Sequence, residues 1–340
     1  MRPRPTKLNN ERLAELAAVK LRALVNEHLQ IDSAEVNRLG GGASCLVSPD
    51  AGNDIESQGW VYFPTSAPGL LGTAIIWAKA NECPKINLIT DEGGEDLAFA
   101  ASAFTEPVPT IWKATDRTIA IVDPAKPVIP PPPDCGELTA ELVAAGLEVV
   151  ADHGVWIGEI NGLEVARVGQ REGECSIDIG VGAYDQFASA ALKPKDRDIV
   201  DAIATVLGMV RPHRMAGAEP HAIGRLVRSR WLRTQLVHEP STIGLESLNP
   251  IPLLFERPGL LETQPAAALG NKADGTSVLV TCTVGLDLGI AETAAGLAAL
   301  HQPDEILVVL PPRDMHQRVV DAVDALAFPS KVIAVDGDWA

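Results

Sequence analysis

The chain has 340 residues, 46% hydrophobic and 21% charged, which is a globular composition large enough for two or three cores. Its net charge of −17 opposes phosphate backbones and anionic lipid, which disfavours a broad nucleic-acid or membrane footprint but leaves room for a local basic site. With only 4% aromatic residues, the composition suits helices packed on parallel strands better than a stacking platform for single strands.

The basic start, Met1 to Lys7, runs into an amphipathic helix rather than an apolar signal core. That helix is expected over Asn10 to His28, with Leu13, Leu16, Ala17, Leu21, Leu24 and Val25 forming one apolar stripe. A glycine turn at Gly40 to Gly42 follows, then strand Trp60–Phe63, helix Leu70–Ala80, strand Ile86–Thr90, helix Glu95–Phe104 and strand Thr110–Lys113. Strands alternating with helices predict a parallel sheet. Prolines between Asp123 and Asp134 forbid helix and read as a connector.

The middle of the chain has another character. Helix Glu137–Ala145 precedes three strand-like runs, Leu147–Gly158, Leu163–Val168 and Cys175–Val181, separated by hairpin signals that include Asn161-Gly162. Helices Ala183–Leu192 and Asp198–Val210 follow. A second proline-rich connector runs from Asn249 to Pro265. Beyond it, strand Ser277–Cys282, helix Leu288–Leu300, strand Glu305–Leu310, helix Met315–Ala327 and strand Lys331–Val335 repeat the opening pattern. A unit that short buries its faces poorly alone, so it is expected to pack against another part of the chain or a second subunit.

The expected fold is therefore α/β. Two βαβαβ-type, Rossmann-like units at the ends flank a central α+β module with an antiparallel meander. The expected divisions are 1–123, a linker at 124–136, a module at 137–248, a linker at 249–269 and a final unit at 270–340.

Chemical motifs are scarce. Gly270 to Ser277 lacks the lysine of a phosphate loop and precedes its strand, and no GxGxxG, HExxH or GxSxG is present. The cysteines Cys45, Cys83, Cys135, Cys175 and Cys282 form no CxxC pair and read as free thiols of a cytoplasmic protein. Cys282 and His316 could be assembled into a nucleophile pair, but Cys282 also fits as an ordinary core thiol, and that reading is preferred.

One stretch is anomalous. From Arg211 to Arg233 lie six arginines, with His213 and His221, against the single acid Glu219. On a helix from Ala222 to Leu236, Arg225 and Arg228 would share a face, as would Arg230 and Arg233. Guanidinium groups bind phosphate or carboxylate bidentately, so these four are the anion-binding candidates. The alternative is that they pair with the protein's own carboxylates, within the chain or across subunits.

Strand alternation places Glu164 and Ala166 on one face and Arg167 on the other, and leaves the strand acids solvated. A helix followed by strands carrying Asp152, Glu159, Glu164 and Asp178 resembles the core of the PD-(D/E)XK nucleases. There an acid on one strand and an acid–x–lysine on the next hold a metal ion. Here Ala166 stands where the lysine belongs, so membership is not assigned and no metal ligand is named. Glu164 and Asp185 remain the candidate acid–base groups. The functional expectation is binding or processing of a phosphate-bearing ligand, a nucleotide or nucleic-acid end. The alternative is a non-catalytic interaction protein whose arginine helix makes salt bridges. The residues leave the cofactor unknown, no membrane partner is expected, and a homo-oligomer is possible.

Overall fold

The computed structural model describes residues 7–31, 34–48, 56–65, 67–182, 199–256, 259–260 and 264–337. Helix Ala183–Leu192 and the candidate Asp185 lie outside the described residues.

In chain order the first stretch holds α1 (Lys7–Leu29), β1 (Val36–Leu39), β2 (Gly42–Val47), β3 (Gln58–Phe63), α2 (Leu70–Ala80), β4 (Lys85–Thr90), α3 (Glu95–Ala101), β5 (Val108–Thr115) and β6 (Thr118–Ile121). The middle holds α4 (Gly136–Ala144), β7 (Glu148–Asp152), β8 (Val155–Ile160), β9 (Leu163–Arg171), β10 (Glu174–Ile179), α5 (Ile199–Val210) and α6 (Arg228–His238). The last stretch holds β11 (Ser247–Ile251), β12 (Ala266–Asn271), β13 (Ser277–Cys282), α7 (Ile290–His301), β14 (Glu305–Leu310), α8 (Gln317–Val323) and β15 (Ser330–Ala334). The protein is thus a mixed α/β chain with three sheets. Among the described residues, no helix is long and apolar enough to cross a membrane.

Contacts divide the chain into two compact units. One comprises residues 1–127, 288–302 and 316–329, the other residues 128–287, 303–315 and 330–340.

The first unit carries a six-stranded sheet in the order β1 to β6, with β3, β4 and β5 parallel and the outer pairs antiparallel. Ala17, Leu21, Leu24 and Val25 of α1 are buried with Cys45, Trp60 and Tyr62. The stripe expected on α1 shifts, because Leu13 and Leu16 remain 49% and 60% exposed. α7 and α8 pack on α2 and α3 in this unit. The buried carboxylate of Glu292 on α7 accepts from the N–H groups of Gly69 (3.0 Å), Leu71 (2.8 Å) and Gly72 (3.1 Å). It satisfies donors that the first turn of α2 cannot pair internally, and its charge suits the helix dipole. Gly72 is required there, since a Cβ would fall 2.3 Å from the Leu288 carbonyl oxygen.

The second unit carries a five-stranded sheet in the order β11 to β15, with β13, β14 and β15 parallel. β11 overlaps the expected proline-rich connector by its last three residues, Asn249 to Ile251. It is an edge strand, where Pro250 withholds a donor that no further strand needs. The second sheet of this unit is the expected antiparallel meander, in the order β10-β9-β8-β7. The run Leu147–Gly158 proves to be two strands, turned at His153 and Gly154 with φ of 39° and 80°. Asn161-Gly162, at 45° and 74°, has the same left-handed pair, as a tight hairpin of this twist requires.

The expectation of five free thiols is corrected by a disulfide between Cys135 and Cys175, whose Cα atoms are 5.8 Å apart. It ties the proline-rich segment to β10 at a sequence separation of 40, a pairing no spacing motif encodes. Cys45, Cys83 and Cys282 are free and buried.

Candidate anion site

The register of the meander sorts its side chains onto two faces. Glu148 lies opposite Glu159, and Glu159 opposite Glu164. Arg167 lies opposite both Ile157 and Asp178. Directly paired residues share a face, and alternate residues of one strand do too. Glu148, Asp152, Glu159, Glu164, Asp178 and Arg167 therefore all occupy one face. Arg167 joins them because a bulge at Gly158/Glu159 inserts one residue into β9 and reverses its alternation. The strand-parity expectation that set Arg167 apart is corrected. The other face, with Leu163, Ala166 and Val168, belongs to the apolar core that α4 and α5 complete.

These acids are not solvated. Side-chain exposure is 14% at Asp152, 0% at Glu159, 6% at Glu164 and 16% at Asp178. Charge at that depth requires partners, and α6 supplies them. Arg230 donates to Glu159 at 2.6 Å and to Asp152 at 2.8 Å, while Arg233, one turn later, donates to the other oxygen of Glu159. Thr234 donates to Glu148 at 3.2 Å. His153 shares a 2.6 Å hydrogen bond with Asp152, and Arg167 grips Glu164 at 3.0 and 3.2 Å.

Arg214 completes the layer. Its guanidinium, 4.5 Å above the Trp231 ring, donates to the carbonyls of Leu226 (2.7 Å) and Asn161. Burial pulls its pKa down to about 10, against the opposing pull of Glu159 and Glu148. Gly162 makes this close docking possible, because a Cβ there would meet the Arg230 backbone at 2.4 Å.

The expected helix Ala222–Leu236 is also corrected. Ile223–Arg225 is a single 3-10 turn, Leu226 is extended, and Val227 is left-handed at φ 40°. α6 begins only at Arg228. Arg225 and Arg228 thus share no helix face, whereas Arg230 and Arg233 do. The break turns the arginines in two directions. Arg230 and Arg233 face inward. Arg225 and Arg228 line a cavity of about 570 Å³ with His213, His221, Glu219 and Trp231.

The imidazoles of His213 and His221 stack at 3.7 Å in that cavity, and His221 Nδ1 accepts from the N–H of Ile223 at 3.2 Å. Arg225 is exposed, and its guanidinium has no hydrogen-bond or ion-pair partner among the described residues. Burial, then Arg313, then Arg225 hold Arg228 below the ordinary guanidinium value, with Asp314 opposing them. An anion would relieve that crowding.

The remaining candidates separate from this cavity. Glu164 is engaged by Arg167 and faces a smaller cavity of about 110 Å³ with Asp152, His153 and Glu256. No group of three or more His, Cys, Asp or Glu among the described residues is arranged to hold a metal ion. Burial pushes the Cys282 thiol up to about 12, which makes it a poor nucleophile. His316 is occupied as the N-cap of α8, accepting from the Arg318 N–H. Sequence reasoning passed over Arg214 as a structural group and Arg313 altogether. The one-sided charge of 211–233 held a signal for the first, but nothing local marked the second.

The fold and cavity together define a mixed α/β protein with a cationic, histidine-lined pocket beside a buried ionic layer. No protein-family model, curated protein or solved structure matches the chain.

Proposed function

We propose that the chain binds a phosphate-bearing ligand, such as a nucleotide or a nucleic-acid end, in the cavity lined by Arg225 and Arg228. The observation that carries this reading is the division of the arginines at Val227. Arg230 and Arg233 are matched by buried carboxylates. Arg225, exposed and without an ion-pair partner among the described residues, lines a cavity with Arg228, and the one acid among the described lining residues is the exposed Glu219. A volume of about 570 Å³ suits a small organic ligand. In a chain of net charge −17, a local excess of guanidinium and imidazole is a specific attraction for an anion. We also read the C-terminal βαβαβ stretch as Rossmann-like, so the ligand side would lie beyond the carboxyl ends of β13 and β14.

For Arg230 and Arg233 the second reading is favoured. Their contacts with Glu159 and Asp152 are those of a structural salt-bridge layer inside one unit. No reaction is assigned to Glu164, whose carboxylate Arg167 holds in two hydrogen bonds.

Thermal melting against phosphate, nucleotides and oligonucleotides tests the proposal. A ligand at a hundredfold excess over its Kd stabilises by about 2.7 kcal/mol, several degrees of melting shift. That shift should fall with salt and vanish in Arg225→Ala/Arg228→Ala, while the variant alone melts near the parent. No shift with any anion, or a variant that simply unfolds earlier, would give the arginines to structure instead.

A further inference from the structure

Resting on that reading, we propose that the anion enters the cavity together with one proton, which His213 takes up while its stacked neighbour His221 stays neutral. The geometry gives the two rings different tasks. His221 Nδ1 accepts from the Ile223 N–H at 3.2 Å, so the neutral ring carries its proton on Nε2. A second proton would go to Nδ1 and would break that bond, at the start of the 3-10 turn Ile223–Arg225. His213 is not constrained in this way. It is half-buried, and neither ring nitrogen has a hydrogen-bond or ion-pair partner among the described residues.

The rings stack at 3.7 Å with their planes 13° apart. One imidazolium is attracted to the π face of a neutral ring, whereas two in contact repel. The stack thus admits one positive charge and opposes a second. The turn that carries Arg225 is seated against the same residue, since a Cβ on Gly224 would stand 3.0 Å from the His213 carbonyl oxygen. Arg225 and His213 therefore reach the cavity from adjoining turns. The other charged groups on its lining are Glu219 and Arg228, and Arg211 and Arg214 flank His213 in the chain. Arg228 already has a partner, and Arg214 is held by the Leu226 and Asn161 carbonyls. Glu219 is exposed and pairs with neither ring. An oxyanion beside Arg225 favours the charged form of His213 by Coulomb attraction and a charge-assisted hydrogen bond. Binding and proton uptake are then linked. Affinity is highest at low pH and falls as pH rises through the range in which imidazoles lose their charge.

Sulfate is the probe, because its charge stays constant where phosphate itself titrates. Calorimetric titration of the full chain at low salt, at about pH 5.5 and about pH 8, reads the affinity. Repeating it in buffers of different ionisation heat counts the protons taken up. Affinity should be at least about tenfold higher at the lower pH, the effect of one further charge-assisted contact, with close to one proton taken up per sulfate. His213→Asn and His213→Gln should each remove the pH dependence and leave binding at its high-pH strength. His221→Asn, whose side-chain oxygen can still accept from the Ile223 N–H, should keep most of the proton uptake. Affinity independent of pH, a pH dependence unchanged in the His213 variants, or one lost only in His221→Asn would overturn the inference. So would phosphate binding without sulfate binding, because the site would then read a proton on the ligand rather than supply one. If binding still depends on Arg225 in any of those cases, the parent reading stands. If neither anion binds, both fall.

Discussion

Replacing Glu159 by glutamine probes the ionic layer most directly. The side chain is fully buried and accepts from Arg230 at 2.6 Å and from Arg233. Glutamine keeps the shape and removes the charge. Arg230 retains Asp152 at 2.8 Å, but Arg233 loses its ion-pair partner at 3% exposure. Removing one member of a buried pair costs about 3–5 kcal/mol, because the surviving charge stays desolvated. Equilibrium urea unfolding should then show a midpoint lowered by about 1 M or more for a slope near 3 kcal/mol/M. The charge-free replacement Glu159→Leu and Asp152→Asn with Arg230→Met and Arg233→Met should recover most of the loss, since it removes both sides of the desolvation. The reasoning fails if Glu159→Gln costs less than about 1 kcal/mol at unchanged slope. It also fails if the charge-free variant is worse than the single one.

Two further outcomes follow from other parts of the molecule. The Cys135–Cys175 link closes a loop of separation 40, which the chain-entropy relation values at about 4 kcal/mol. Cys135→Ser/Cys175→Ser should lose about that much in urea, and reductant should lower the parent to the same midpoint, whereas indifference to reductant would deny the link a stabilising role. His301 is held below the ordinary imidazole value by burial and then by repulsion from Lys126. The unfolded chain therefore takes up that proton first, so stability should fall as pH drops below about 6.5 until the native group also titrates. His301→Asn should flatten this slope between pH 7.5 and 5.5 without altering stability above it, and an unchanged slope would place its origin elsewhere.

Much of the fold was legible in the residues because its signals are local. Helix Leu70–Ala80 and strands Ser277–Cys282 and Glu305–Leu310 follow from apolar runs of the right length between turn residues. Asn161-Gly162 announces its hairpin because few other pairs accept two left-handed residues in succession. His153-Gly154 turns the chain in the same way, but histidine is a weak signal for that conformation, so β7 and β8 read as one run.

The site divides along the same line. Charge composition alone singled out 211–233 and carried the choice between an anion ligand and internal carboxylates. It could not divide the arginines, because the left-handed residue at Val227 is β-branched and nothing local predicts it. Whether Arg167 faces Glu164 depends on a bulge set by cross-strand pairing. That Cys135 meets Cys175, and that Arg230 and Arg233 meet Glu159, depends on contacts far apart in the chain. Amino-acid order determined the elements, the excess of negative charge and the arginine-rich stretch. Tertiary structure alone decided which charges are buried together, since burial and pairing are properties of long-range packing rather than of sequence period.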